Sequence, residues 1–305
     1  MTVHMETKEE SAKRKSILSS DRVDLLMSLI KNSLKKVYAD RLNKVYIDPD
    51  MKKIALPIQE GTSASGYGIL PKGSHLSIPE GKKIRAFTYW EKVNDIDLSV
   101  IGLCEDGSQK EFSWRSMWNK QSDVITYSGD ETSGYNGGSE YFDIDIPAFK
   151  KKYPHITHLV FCDNVYSFKP FSECICTAGY MLRDAKDSGE IFEPKTVKTS
   201  FTINSDSRFA YLFAIDLMNH EFIWLNIGRD SSVNVAGTTA MNYLRSYFDI
   251  ISVMNLYDFF SMIAKETVDD VSKADVVVTD KVVNVTEDVE VIRSTDVERI
   301  MALMN

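Results

Sequence analysis

The feature that most constrains this chain is a series of short apolar-rich segments between residues 84 and 227, each closed by turn residues. They fall at 84–91, 95–103, 109–113, 123–127, 140–146, 157–164, 173–182, 197–203, 208–216 and 221–227. Turns such as Glu105-Asp106-Gly107 separate them. Short strands at this spacing predict an all-β sandwich or barrel rather than βαβ units. Phe209 to Phe213 is a run of large apolar residues, which predicts a central strand. Phe222 and Trp224 alternate with Ile223 and Leu225, so both faces of that strand should be covered.

The flanks have other textures. Residues 1–19 are polar and predict a disordered tail. Ser20 then caps an expected helix in which Val23, Leu26, Leu29, Ile30, Leu34, Val37 and Tyr38 form one apolar stripe ending near Asn43. Residues 44–47 and 53–56 read as strands parted by Asp48-Pro49-Asp50, and residues 61–73 as a Gly/Ser-rich loop. Residues 236–266 read as one or two helices broken near Asn255. Val276-Val277-Val278 and Val282-Val283 look strand-like, and Thr295-Asp296-Val297-Glu298 reads as a capping box for a last helix ending at Met304. The expected division is a tail and amphipathic helix over 1–43, a β-sandwich over 44–235, and a helical segment with an acidic tail over 236–305. That tail, from Lys265, carries ten Asp or Glu against five Lys or Arg.

The formal charge of −8 offers no basic stripe, and the basic cluster Lys13-Arg14-Lys15 lies in the polar tail, so no nucleic-acid partner is expected. No apolar run approaches the ~18 residues of a membrane helix, and the polar N-terminus is not a secretory signal; a cytoplasmic location follows as the expectation. Four cysteines are too few for a disulfide framework, and Cys174 and Cys176 lack the second pair that a structural zinc site needs. Nucleotide loops, nucleophile elbows and helical zinc motifs are absent, so the chain is not expected to be an enzyme.

Candidate chemistry concentrates in residues 94–146. In Asn94-Asp95-Ile96-Asp97-Leu98-Ser99-Val100, Asp95, Asp97 and Ser99 share one strand face. The pattern recurs in Phe142-Asp143-Ile144-Asp145-Ile146. Between them, residues 128–141 carry four glycines with Asp130, Glu131 and Glu140. Like charges on one face repel unless something offsets them, and calcium does so with six to eight oxygens in flexible geometry. Asp95, Asp97, Asp130 and Glu140 are therefore the candidate metal ligands. The other reading of such a strand is a half-buried strand with a wet outer face. Tyr127, Tyr135, Tyr141 and Trp114 near the loop leave a carbohydrate-binding or structural sandwich open as well.

These residues also carry a resemblance. D-I-D-L-S, Y-S-G-D-E-T-S-G, S-E-Y-F-D-I-D-I and H-L-V-F-C-D-N-V-Y, spread over roughly residues 75–228, resemble the TerD family of tellurium-resistance and stress proteins. Residues 44–60, with K-V-Y-I-D-P and A-L-P-I-Q-E, resemble the lead into the TerD-like region of larger bacterial cytoplasmic proteins. The resemblance implies a calcium-binding β-sandwich in which Phe168 or Phe171 packs inward. It implies a non-enzymatic scaffold or sensor with protein partners, in a stress complex associated with a membrane. Asp95, Asp97, Asp130 and Glu140 match the family motif. Ser99 and Ser139 stand where the family has acids, which implies a weakened calcium site. A metal-free protein-interaction module with the acidic tail as its docking segment is the alternative.

Overall fold

A computed structural model describes residues 20–57, 70–79, 83–117, 122–167, 169–183, 197–203, 205–229, 244–245, 247–248 and 250–305. The expected disordered tail, most of the Gly/Ser loop and Phe168 lie outside these residues. The protein is mainly β, with three sheets and a few helices.

All ten segments between 84 and 227 form strands. They are β3 (Lys83–Glu91), β4 (Ile96–Cys104), β5 (Gln109–Phe112), β6 (Ile125–Tyr127), β7 (Gly138–Asp145), β8 (Ile156–Val165), β9 (Ile175–Arg183), β10 (Val197–Thr202), β11 (Phe209–Asp216) and β12 (Glu221–Arg229). One further strand, β2 (His75–Ser77), precedes them. They make two antiparallel sheets, in the orders β10-β9-β3-β7-β6 and β2-β12-β11-β8-β4-β5. The inner faces share one core, with Ile84, Ala86, Trp90 and Phe142 from the first sheet and Leu98, Phe161 and Phe213 from the second. Ring contacts cross between the sheets, such as Phe201 on Trp224 with centroids 4.0 Å apart. A sandwich-like arrangement follows, and Phe171 is fully buried in it.

Every residue of β11 is buried, because this sheet is covered on its outer face too. There Ile101, Val160, Tyr211, Ile223 and Leu225 meet Leu244, Tyr247 and Phe248. The expected two-sided burial of β12 is met, with Phe222, Ile223, Trp224 and Leu225 all buried.

The chain ends fold together. β1 (Leu42–Ile47) was grouped with the sandwich by its sequence, but it pairs in parallel with β13 (Ala264–Val268) and β14 (Val276–Val278). β15 (Glu290–Ile292) completes a parallel sheet in the order β13-β1-β14-β15. The acidic C-terminal tail is therefore a structural part of the fold. Val276, Val277 and Val278 are buried as a short continuous run, the pattern of a parallel strand covered on both faces. Val282 is 94% exposed and forms no strand.

The helices follow the same logic. α1 (Ser20–Tyr38) stops before Asp40, whose φ of 64° suits a short polar side chain. α2 (Trp114–Met117) and α3 (Ile146–Lys152) are short connections inside the sandwich. The helical segment expected over 236–266 is described in part. It breaks as expected at Asn255, between α4 (Ile250–Val253) and α5 (Leu256–Ile263), where the Asn255 side chain accepts from Asp258 N at 2.9 Å. α6 (Val297–Met304) closes the chain, but the capping box does not form; the Asp296 carboxylate instead accepts from Arg293 N at 2.8 Å. The turn expected at Asp48-Pro49-Asp50 is a 3₁₀ turn over Pro49–Lys53, in which Asp48 accepts from Asp50 N and Pro49 fixes the first turn; the strand expected at 53–56 does not form and is reduced to a single bridge between Ala55 and Asn255.

Asp48 ties the parallel sheet together. Its carboxylate accepts from Thr279 Oγ1 at 2.7 Å and from Lys281 Nζ at 3.1 Å, so the end of β1 is held to the end of β14. Burial works to raise its pKa, but the hydrogen bonds from Asp50 N, Thr279 and Lys281 win and hold it below the ordinary carboxylate value. A depressed pKa adds stability that is present above the unfolded value and is lost as pH falls through the folded one. Asp48→Ala should cost about 2–3 kcal/mol at neutral pH, for a buried charge-assisted network. The difference between urea melts of the two proteins should shrink as pH falls below the ordinary carboxylate value and through the lower folded value of Asp48.

Candidate metal centre

Three of the four expected ligands converge. Asp95 precedes β4, Asp97 lies in it, and Asp130 comes from the loop between β6 and β7. One carboxylate oxygen from each lies within 4.8 Å of the others. Asp95 and Asp97 are partly buried and Asp130 is exposed, so the cluster opens to solvent on one side. Asn164, opposite Asp97 on β8, donates to its Oδ2 at 3.2 Å.

The fourth residue has a different position. Glu140 on β7 is fully buried, and its two oxygens accept from backbone amides: Leu98 N at 2.8 Å and Glu131 N at 3.1 Å. The Leu98 amide needs this partner, since β5 pairs only with Val100–Leu103 and leaves the start of β4 as an edge. Glu140 thus fastens β7 to β4 and to the loop, behind the three aspartates rather than among them.

The loop reaches the site because its glycines permit close approach. Gly134 and Gly138 press on the buried Trp90 indole, where an added Cβ would come within 2.6 Å and 2.5 Å of ring atoms. Gly129 and Gly137 have φ of 103° and 132°, a region that favours glycine. Gly134 N donates to Asn94 O at 2.8 Å, which draws the loop to the residue before Asp95.

The electrostatics are those of an unneutralised cluster. Burial, then Asp97, Asp130 and Glu131, push Asp95 up to about 7. Burial also raises Asp97; Asn164 opposes this, Asp130 adds to it and Arg115 opposes it. Burial pushes Glu140 up to about 9, against its hydrogen bonds from Tyr127, Leu98 and Glu131. Among the described residues, Asp95 Oδ1 is buried with no hydrogen-bond partner. A buried carboxylate oxygen without a donor is costly unless a cation or proton takes its place. All-oxygen donors contributed by strands and a glycine loop fit a hard divalent ion with flexible coordination.

No protein-family model and no curated protein matches this chain.

The second Asp-x-Asp pair has no part in the cluster. Asp143 receives a two-pronged ion pair from Arg85, with both contacts at 2.7 Å, and Asp145 caps α3 by accepting from Ala148 N. Ser99 is buried, and the Ser139 hydroxyl donates to Thr88 O at 2.9 Å, so neither replaces a missing carboxylate. Sequence reasoning overlooked Asp163 on β8. It is fully buried behind the site, accepts from Thr88 Oγ1 at 2.7 Å, and is pushed up to about 7 by burial and by Asp97. An aspartate inside the run Leu159-Val160-Phe161-Cys162-Asp163 was the available signal.

Two substitutions test this scaffold. Glu140→Gln keeps the shape but turns an amide N–H toward a backbone donor. It should cost about 1–3 kcal/mol in urea denaturation. Gly138→Ala should cost a similar amount, on the order of 1–3 kcal/mol for overpacking against Trp90.

Proposed function

We propose that this chain is a TerD-like, calcium-binding β-sandwich of the stress-response type, acting as a non-enzymatic scaffold or sensor. The observation that carries the metal part is the convergence of Asp95, Asp97 and Asp130, with Asp95 Oδ1 buried and unpartnered. Calcium is favoured because every donor is an oxygen and the ligands come from a strand and a glycine-rich loop, which do not impose a rigid octahedron. Three carboxylates make a modest site, completed by main-chain carbonyls or water. Bound metal would tie the loop over 128–137 to the start of β4, and this is how occupancy would become a surface a partner can read.

Calorimetric titration of the full chain with calcium should give one saturable site, absent in Asp95→Asn combined with Asp130→Asn. At about 100 times Kd, calcium should add about 2.7 kcal/mol of stability to the parent protein and none to the variant. A parent protein that gives no heat and no thermal shift would leave the metal-free interaction module in its place. Affinity should fall as pH drops below 7, because a proton on Asp95 must leave before metal binds. The raised pKa also means that the metal-free protein loses stability as pH rises from the unfolded carboxylate value through about 7. Asp95→Asn should reduce that slope in melts made with a chelator, leaving the part that the raised carboxyls of Asp97, Glu140 and Asp163 contribute.

A further inference from the structure

The apolar stripe of α1 divides between two sides of the helix. Leu34 and Tyr38 pack on the core, and Lys31 on the same side is bound to Asp258 of α5 at 2.7 Å. The other side is bare: Leu25 is 61% exposed, Leu26 48%, Leu29 55%, Ile30 43% and Val37 70%. Among the described residues, five of the thirteen large apolar side chains that stand exposed are on this one helix, so the patch is not ordinary scatter.

At 3.6 residues per turn Leu25, Leu26, Leu29 and Ile30 form one patch, Val37 lies on the same side two turns on beyond Ser33, and Arg22 and Lys36 fall on this side too, one near each end. Both are exposed. Asp24 projects from the opposite side, and Asp21 from the flank beside Leu25. The bare face is thus apolar along its middle and cationic at both ends.

That charge pattern decides between occupants. A second copy of the helix laid antiparallel would bring Arg22 against Lys36, and a parallel copy would set each against itself, so both pairings place like charges together. Lipid headgroups of negative charge suit both ends at once, since long cationic side chains can reach the headgroups while the leucines enter the acyl boundary. None of the described helices is long and apolar enough to cross a membrane, so such contact would lie in the plane of the surface.

We infer that the outer face of α1 is a docking surface for an anionic lipid membrane, used independently of the metal cluster. The full chain should co-sediment with phosphatidylcholine vesicles containing phosphatidylglycerol, and not with phosphatidylcholine alone. Leu26→Asp with Ile30→Asp should abolish co-sedimentation while leaving the circular-dichroism melt unchanged, because both residues are exposed. Arg22→Ala with Lys36→Ala should weaken binding by about fivefold per cation removed. Failure of the parent protein to bind the anionic vesicles overturns the inference, as does full binding by the double Asp variant. A parent that self-associates without lipid, in a manner lost in the double Asp variant, assigns the stripe to a second copy instead.

Discussion

The arrangement of the site depends on the buried carboxyl of Glu140. It leaves one sheet, supplies the amide of Leu98 at the unpaired start of the other, and receives the amide of Glu131 from the loop. A buried strand edge must find acceptors somewhere, and here the acceptor is a side chain from across the core. That choice sets the position of β4 relative to the loop, and so the separation of Asp95 and Asp97 from Asp130. Trp90 provides the floor on which Gly134 and Gly138 rest. The aspartates themselves contribute repulsion, and the fold holds them together through groups that never touch the cluster's open side.

The third sheet solves a different problem. β1 cannot pair until the chain has passed through all eleven sandwich strands and returned, since Leu42 lies beside Ala264 and Val45 beside Val276. Such long closures bring entropy costs that must be offset by burial, and they slow folding. Val45, Val277, Val278 and Phe260 provide that burial, and Asp48 adds a polar tie to Thr279 and Lys281. The ion pair of Lys53 with Glu221 and the contact of His75 with the same carboxylate then connect this end of the molecule to β2 and β12 of the sandwich.

The strands of the sandwich were legible because their cues are local. Alternation and turn residues act within a few positions, and every segment expected between 84 and 227 appears. The parallel sheet was not, because β1 finds its partners more than two hundred positions away and the strands are three to six residues long. Val276–Val278 and Val282-Val283 look alike on paper. Only the first pair of neighbours lies beside β1, and nothing in either stretch encodes that. The site was partly legible for a similar reason. Asp95-x-Asp97 and Asp143-x-Asp145 have the same spacing, yet Arg85 and the first turn of α3 claim the second pair. Glu140 looked like a ligand because spacing cannot distinguish a carboxyl aimed at solvent from one aimed at a backbone amide.

The contrast between the two pairs also bears on why the first remains uncompensated. Asp143 and Asp145 each have a specific donor, so their charges stabilise the fold as it stands. Asp97 has one amide from Asn164, and Asp95 has an oxygen buried with nothing opposite it. A wet strand face would leave such groups hydrated, and natural folds rarely keep a buried acceptor unsatisfied without a reason. A cation supplied from solution would remove the repulsion and the orphaned oxygen together, beside the glycine loop that carries Asp130. The same geometry that costs stability when empty is therefore what would make occupancy a signal.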